Sequence, residues 1–276
     1  MSDAVEVRFW GTRGSLPAPG PTTAIYGGNT SCIQVVAGGN QLVFDAGTGI
    51  RELGNHLLKS GPPHVHLFFS HYHWDHIMGF PFFAPIYVPG SEVHLYGESK
   101  NGQSVLEILS GQMHPPYFPI KWNMVNADVE WTPVVPDTSI ELDGGVLVKT
   151  CRINHPQHAI CYRVEFGGRA VVYATDIEHG SDLDSVFVEF IRDADVVIMD
   201  CSFTEGEYPA RRGWGHATWE AGVGFAEAAN VETFVIFHHL PERTDAEVAA
   251  IEAEAQAVRP GTLAAREGMT ITLPVR

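Results

Sequence analysis

The segment from residue 71 to residue 76 constrains this chain most, because it holds three histidines and one aspartate within six positions. It directly follows residues 65–69, a short and mostly apolar run that predicts a buried strand. A strand that runs into a loop places His71 and His73 on one side of the extended backbone, while the following turn brings Asp75 and His76 from another direction. Imidazole and carboxylate groups bind zinc and related divalent metals. The segment therefore predicts a metal site. So many histidines in so few positions make it a poor match for the alternative, in which they are ordinary residues at a strand end that bind no metal.

Composition excludes several other classes of protein. Hydrophobic residues make up 45% of the 276 residues, with 28 glycines and 18 prolines, which is typical of a compact α/β protein with many turns. A formal net charge of −16 would repel a long polyanion, so a nucleic-acid polymer is not the expected substrate. No apolar run approaches the roughly 18 to 20 residues that span a bilayer, and residues 1–4 lack a signal-peptide pattern. We expect a cytoplasmic protein with no membrane segment.

The periodicity of the chain predicts strands and helices that alternate towards the C-terminus. Strands are expected at residues 5–10, 32–36, 41–44, 65–69, 93–96, 145–152, 161–166, 170–173, 196–199, 233–237 and 269–273. Helices are expected at residues 50–59, 103–110, 183–191, 218–229 and 245–258. The four cysteines lie far apart without a C-x-x-C spacing, so we expect buried free thiols. No linker or internal repeat divides the chain, and residues 1–276 are expected to form one domain.

The sequence His-x-His-x-Asp-His after an apolar strand resembles the signature of the metallo-β-lactamase-fold hydrolases. The run Phe-Asp-Ala-Gly at residues 44–47 is similar to an earlier turn of that family, whose aspartate supports the metal loop without binding metal, and Asp45 takes this place. The resemblance implies an α/β fold, namely a four-layer αβ/βα sandwich of two mixed β-sheets flanked by helices.

The family also implies three later ligands, each at the end of a strand. Their candidates are His155, Asp176 and His238. Carried over, His71, His73 and His155 would hold one metal, Asp75, His76 and His238 the other, and Asp176 would bridge them. His158 is an alternative to His155, although His155 stands closer to its strand. His239 is an alternative to His238, because neighbours on an extended backbone point to opposite sides.

A glycine-rich segment narrows the resemblance. Residues 213–218, Gly-Trp-Gly-His-Ala-Thr, resemble a motif of the phosphodiesterase branch, which includes tRNA 3′-end-processing endonucleases and cyclic-nucleotide phosphodiesterases. There the histidine faces the scissile phosphate, so His216 would assist the leaving oxygen. The alternative is a helix-capping loop with Thr218 as the cap. Residues 11–15 and 26–32 also resemble this branch, and Arg13 would either pair with a phosphate or bind carbonyl groups.

The resemblance implies a dinuclear hydrolase of small phosphodiesters, such as a cyclic nucleotide or related cyclic phosphate. Two divalent ions are implied, zinc by preference, with manganese or iron as alternatives. Asp75, Asp176 and His216 would take part in catalysis, Asp176 by orienting the attacking water. Competing hypotheses are hydrolysis of a carboxylic ester, thioester or lactone, tRNA 3′-end processing, a metal-bound sensor, and a di-iron redox enzyme.

Residues 113–120 combine prolines with aromatic side chains. They would serve as a dimer contact, as a lid over the substrate or, more simply, as buried packing. We predict a homodimer.

Overall fold

Strands dominate the structure, a computed structural model that describes residues 4–276. Within this range the chain forms fourteen strands: β1 (Ala4–Gly11), β2 (Cys32–Ala37), β3 (Asn40–Phe44), β4 (His64–Phe68), β5 (Glu92–Gly97), β6 (Asp128–Pro133), β7 (Ser139–Leu142), β8 (Val146–Ile153), β9 (Ala159–Phe166), β10 (Arg169–Ala174), β11 (Val196–Asp200), β12 (Thr233–Phe237), β13 (Thr262–Ala264) and β14 (Thr270–Pro274). Of the N-terminal residues 1–4, where we expect no signal peptide, only Ala4 lies within the described residues.

The same range forms six α-helices: α1 (Ile50–Leu57), α2 (Trp74–Ile77), α3 (Val105–Gly111), α4 (Asp184–Phe190), α5 (Trp219–Ala228) and α6 (Asp245–Val258). Capping chemistry sets where several of them begin. Thr244 caps α6 by accepting a hydrogen bond from the backbone N–H of Glu247, whose side chain returns a bond to the cap. Ser104 and Glu107 form the same reciprocal cap on α3.

The described strands form two sheets of seven with mirrored organisation. The first has the order β14-β1-β2-β3-β4-β5-β6 and the second β13-β12-β11-β10-β9-β8-β7. In the first sheet, β14 to β3 pair antiparallel, and β3 to β6 pair parallel. In the second, β13 to β10 pair parallel, and β10 to β7 pair antiparallel.

The two sheets enclose the central core and carry helices on their outer faces. Buried side chains of both sheets, such as Phe44 and Tyr173, share one apolar cluster. Helices α1 and α3 contribute to a second cluster on the outer face of the first sheet, and α4 to α6 contribute to a third on the second sheet. Two mixed sheets between helical layers confirm the predicted four-layer fold.

Three strands escaped prediction. The strands β6 and β7 lie where the pattern loosens, and they are the outermost strands of their sheets. Their side chains are exposed or half-buried, so they lack the apolar run that identifies a buried strand. The third, β13, has only three residues. All four cysteines are buried and free, as expected. No helix within residues 4–276 is long and apolar enough to cross a membrane.

Candidate metal centre

The predicted ligands meet where several strands of both sheets end. His71 and His73 follow β4, Asp75 and His76 lie in the short helix α2, His155 follows β8, Asp176 follows β10 and His238 follows β12. The first sheet thus supplies four of the side chains, and the second supplies three. The structure brings all seven together, although they are spread over 168 residues of sequence from His71 to His238.

The first group of side chains gathers around one oxygen of Asp176. Nε2 of His71 lies 3.5 Å from Oδ2 of Asp176, and Nε2 of His155 lies 3.6 Å from the same oxygen. His73 joins the group through Nδ1, which is 3.2 Å from Nε2 of His155. Each residue offers one ligand atom, and these atoms all lie within 4.8 Å of one another. The group could therefore hold one metal ion.

The second group gathers around the other oxygen of Asp176. Oδ1 lies 3.2 Å from Nε2 of His76 and 3.0 Å from Nε2 of His238. Oδ2 of Asp75 lies 3.1 Å from Nε2 of His76 and 3.2 Å from Nε2 of His238. Asp75, His76 and His238 could hold a second ion, and Asp176 lies between the two positions.

Backbone conformation helps to aim two of these side chains. Asp176 has a φ of 53° and His238 a φ of 62°, both in the left-handed region that residues other than glycine rarely adopt. Such residues cost on the order of 1–3 kcal/mol each and persist where the surroundings hold them, as functional sites often do.

Burial and charge act in opposite directions on the histidines. Burial, together with the neighbouring His76, lowers the pKa of His71 well below its usual value, and burial also lowers the pKa of His155. Both rings are therefore neutral near pH 7, the form that binds metal. Around His76, the carboxylates of Asp75 and Asp176 outweigh burial and raise its pKa well above its usual value. This position favours positive charge.

The donor set fits divalent metal ions. Among the described residues, the buried Nε2 atom of His71 has no hydrogen-bond partner, and that of His76 has only the carboxylates of Asp75 and Asp176 beside it. A buried polar atom without a partner costs about 1–3 kcal/mol. Imidazole nitrogens and carboxylate oxygens suit zinc and related metals, and cations here would use those nitrogens and offset the buried charges of Asp75 and Asp176.

Asp45 ties the metal loop to both sheets. Its Oδ1 accepts a hydrogen bond from the backbone N–H of Ser70 at 2.8 Å. Its Oδ2 lies 2.8 Å from Nδ1 of His76 and accepts bonds from the hydroxyls of Ser70 and Tyr173, both at 2.7 Å. These contacts agree with the predicted supporting position of Asp45, outside both groups of candidate ligands.

The alternatives for the late ligands separate in space. Nε2 of His239 donates to the backbone oxygen of Ala265 at 2.8 Å, and burial lowers the pKa of His239 to about 3. His239 thus turns away from the cluster that contains His238. His158 lines a neighbouring cavity and belongs to neither group, whereas His155 lies in the first.

His216 pairs with Asp200, which sequence reasoning missed. Nδ1 of His216 lies 2.7 Å from Oδ2 of Asp200, whose other oxygen accepts bonds from the N–H and hydroxyl of Ser202. Burial disfavours the charged ring, but Asp200 raises the pKa of His216 to about 9. The ring stacks on His238 with centroids 5.0 Å apart. Asp200 ends β11, so a carboxylate at a strand end was the available signal.

Hydrogen bonds to a buried carboxylate stabilise the loop before α5. The buried carboxylate of Glu178, also missed from sequence, accepts backbone bonds from Gly213 at 2.6 Å and Gly215 at 2.8 Å. Thr218 caps α5 by accepting a bond from the N–H of Ala221. Capping by Thr218 therefore coexists with the placement of His216 at the site.

Two glycines of the site are required by close approach. A Cβ atom on Gly14 would lie 2.2 Å from Cε1 of His238, and one on Gly215 would lie 2.3 Å from Nδ1 of His155. Gly215 also has a φ of 92°, and its backbone oxygen accepts a hydrogen bond from Nδ1 of His155 at 2.8 Å. Any larger residue at these positions would displace a candidate ligand.

Arg13 binds carbonyl groups, the second of its two sequence hypotheses. Its buried guanidinium donates to the backbone oxygens of Gly27, Leu240 and Arg243. It thereby fixes the loop that follows β12 and begins with His238.

The segment 113–120 divides between packing and exposure. Met113 is buried and Phe118 is half-buried against Phe82. Tyr117 is 79% exposed.

A cavity of about 640 Å³ opens beside the first group of candidate ligands. His71 and His73 line it, together with mostly polar side chains that include Glu98, Lys100 and Gln157. Another cavity, of about 700 Å³, contains none of the predicted site residues. The cavity beside His73 therefore offers room for a substrate next to the candidate metal centre.

Comparison with known proteins agrees with this architecture. The family model described as a beta-lactamase superfamily domain matches residues 40–239. The chain is 22% identical to Ribonuclease Z of Thermoplasma acidophilum over 301 aligned positions, which cover 90% of each chain. Its fold resembles the metallo-beta-lactamase fold protein YhfI from Bacillus subtilis, with a TM-score of 0.75, 20% identity and coverage of 98% and 100%. It also resembles a diphosphatase from the PhnP family, with a TM-score of 0.72, 19% identity and coverage of 98% and 97%.

Proposed function

The chain belongs to the beta-lactamase superfamily, and on that premise we propose that it is a dinuclear, metal-dependent phosphodiesterase. The proposed substrate is a small phosphodiester, namely a cyclic nucleotide or a related cyclic phosphate. The proposed ligands are His71, His73 and His155 for one ion, Asp75, His76 and His238 for the other, and Asp176 for both. Zinc is the proposed metal, and metal analysis of the purified protein distinguishes it from manganese and iron.

The two oxygens of Asp176 carry this proposal. Oδ2 faces His71 and His155, while Oδ1 faces His76 and His238. A carboxylate that turns one oxygen to each of two groups of metal-binding side chains suits a pair of adjacent cations. Such a pair, when bound, activates water at neutral pH and offsets charge on a phosphoryl oxygen.

His216 is the proposed proton donor to the leaving oxygen. Because Nδ1 is engaged by Asp200 and the pKa is raised to about 9, the ring carries a second proton on Nε2 near pH 7. The ring stacks on His238 and lies 5.7 Å from that of His155, so it borders both groups. An alkoxide leaving group needs such a proton, and a positioned acid typically contributes 10²–10⁴-fold to rate.

Substrate assays with the zinc-loaded protein test the proposed reaction. Bis(p-nitrophenyl) phosphate, cyclic AMP, a thioester and a panel of lactones cover the competing ester classes. We expect turnover of the phosphodiesters, loss of activity with a chelator and recovery with added zinc. Turnover confined to lactones or thioesters would overturn the phosphodiesterase, and a zinc-loaded protein that is inactive on every ester class would support a sensor.

A matched pair of variants tests the ligand set. His155→Asn should lower the zinc content and abolish turnover, because it removes a proposed ligand. His158 is three residues from His155 and lines the cavity, but it belongs to neither group of candidate ligands. The control variant His158→Asn should therefore keep the zinc content of the native protein. Equal zinc content in the two variants would exclude His155 as a ligand.

A second candidate function is cleavage of an RNA 3′ end. The similarity to Ribonuclease Z over 90% of each chain favours it. The net charge of −16 opposes it, because binding a long polyanion needs many cationic contacts. A precursor tRNA assay at low salt distinguishes the two candidates. Cleavage of the precursor with no turnover of cyclic AMP would establish the nuclease.

A further inference from the structure

His73 differs from the other two histidines of its group in the nitrogen that it presents. His71 and His155 approach Asp176 through Nε2, whereas His73 joins the group through Nδ1, at 3.2 Å from Nε2 of His155. The other ring nitrogen of His73 has a partner as well, since Nε2 lies 3.0 Å from Oε1 of Gln157. A carboxamide oxygen only accepts hydrogen bonds. This contact therefore holds the proton of a neutral His73 on Nε2 and leaves the lone pair on Nδ1.

Gln157 reaches His73 because of a tight turn after His155. The N–H of His158 donates to the backbone oxygen of His155 at 2.9 Å. Gln157 has a φ of 64° and His158 a φ of 69°, so two successive residues adopt the left-handed region. Such a conformation is costly for residues other than glycine and must be held by its surroundings.

Lys100, which follows β5 of the first sheet, stabilises this turn. Nζ of Lys100 donates to the backbone oxygens of Gln157 at 2.9 Å and His158 at 3.3 Å. Lys100 also pairs with Glu98, which a guanidinium nitrogen of Arg152 binds at 2.8 Å. The turn is thus fixed to Lys100, which Glu98 holds in place, and neither residue belongs to a group of candidate ligands.

We propose that Gln157 is a positioning residue, which selects the Nε2-protonated form of His73 and so prepares Nδ1 for metal. Lys100 contributes indirectly, because it stabilises the turn that contains Gln157. This inference rests on the proposed function, because it treats His73 as a ligand of the first ion. It adds that the first ion's affinity depends on a residue outside the ligand set. Outer hydrogen-bond partners of metal-binding histidines typically change metal affinity 10–100-fold.

The test uses three variants of the 276-residue protein. Gln157→Leu removes the acceptor at similar size, and Gln157→Glu restores an acceptor. Gln103→Leu is the matched control, since Gln103 lines the same cavity and, among the described side-chain contacts, has none with His73. Long-range ¹⁵N–¹H NMR of the metal-free proteins reports the protonated nitrogen of His73, and chelator competition reports the affinity for each of two zinc ions.

We expect Nε2-protonated His73 in the native protein, in Gln157→Glu and in Gln103→Leu. Gln157→Leu should give a mixture of both protonated forms and weaken one zinc ion about tenfold. An unchanged form of His73 in Gln157→Leu, or unchanged affinity for both ions, would overturn the positioning role. Failure of the native protein to bind two zinc ions would instead overturn the proposed function, while the NMR comparison still decides the role of Gln157.

Discussion

At the scale of single residues, the centre depends on side chains that face two ways. Asp176 presents one oxygen to each group of candidate ligands. His216 presents Nδ1 to Asp200 and stacks its ring on His238. Because His216 is not one of the proposed metal ligands, its replacement would remove the proposed proton donor and leave those ligands in place.

Replacement of the proposed proton donor should depend on the leaving group. For His216→Asn, we expect a loss in kcat of about 10²–10³-fold on cyclic AMP, whose leaving oxygen is an alkoxide. The loss should be below about tenfold on bis(p-nitrophenyl) phosphate, because nitrophenolate leaves without a proton. Steady-state kinetics on both substrates check this, with zinc content measured as the control. Equal losses on the two substrates would contradict the role.

Substitution of Gly215 should damage the centre through His155. A Cβ atom at this position would overlap the ring at 2.3 Å, so we expect Gly215→Ala to weaken zinc binding at least tenfold. Gly213→Ala is the matched control. Gly213 has a φ of 87°, close to the 92° of Gly215, and a Cβ atom there would meet nothing within 4 Å. Backbone strain is therefore common to both variants, and similar zinc affinity in the two would show that the overlap is relieved cheaply.

At the scale of elements, β4 combines a buried apolar strand with a buried histidine. His66 is 8% exposed, and its Nδ1 lies 3.2 Å from the hydroxyl of Tyr96 on β5. Burial, assisted by His64 and His94, lowers the pKa of His66 to about 4. The buried His66 should therefore make the folding stability depend on pH, separately from the metal centre.

Acid should destabilise the protein through His66. Its folded-state pKa lies below the usual value of 6.5, so the unfolded chain binds more protons between pH 6.5 and 4, and stability falls as the pH drops through this window. We expect His66→Gln to reduce the loss of unfolding free energy between pH 7 and 4 by about 1–2 kcal/mol. Urea unfolding of both metal-free proteins measures the difference. Parallel pH profiles would show that His66 takes up its proton equally in the folded and unfolded states, and would contradict the lowered pKa.

Element prediction succeeded where burial leaves a pattern. The apolar runs that became β4, β10, β11 and β12 identified strands and thereby located the loops after them. The runs that became β6 and β7 did not, because edge strands with exposed side chains carry no apolar signal. Neither of those strands supplies a candidate ligand, so their omission left the site intact.

At the scale of the whole molecule, the centre joins the two sheets. Its first four side chains follow β4, and the other three follow strands β8, β10 and β12 of the second sheet. Asp45 adds a hydrogen bond from the first sheet to Tyr173 of the second. Metal ions bound to both sets would link the halves of the fold.

Metal removal should therefore lower the stability of both halves together. A ligand at 100 times its dissociation constant stabilises the folded state by about 2.7 kcal/mol per site. We expect zinc to raise Tm in calorimetry, with one unfolding transition in the loaded protein. The chelated protein should unfold at lower temperature. Two transitions in the loaded protein would contradict both this coupling and the prediction of a single domain.

The homodimer stays a prediction. Exposed aromatic side chains such as Trp74 and Tyr117 give it a physical basis, because apolar area removed from water stabilises association. Sedimentation at micromolar concentration measures the assembly. A monomer at that concentration would end the proposal.

Local sequence pattern was enough to predict a metal site. Three histidines and an aspartate within residues 71–76 predict metal ligands from residue type and spacing. The family resemblance added the later candidates, which the apolar runs placed at strand ends. Which of the neighbouring residues His238 and His239 faces the centre became clear only from the tertiary structure. Both are histidines, and the backbone conformation sets the direction in which each side chain points. The tertiary structure also revealed Asp200, Glu178 and Gln157, whose contacts join residues distant in sequence. Those contacts arise from the packing of two sheets, which local periodicity does not encode.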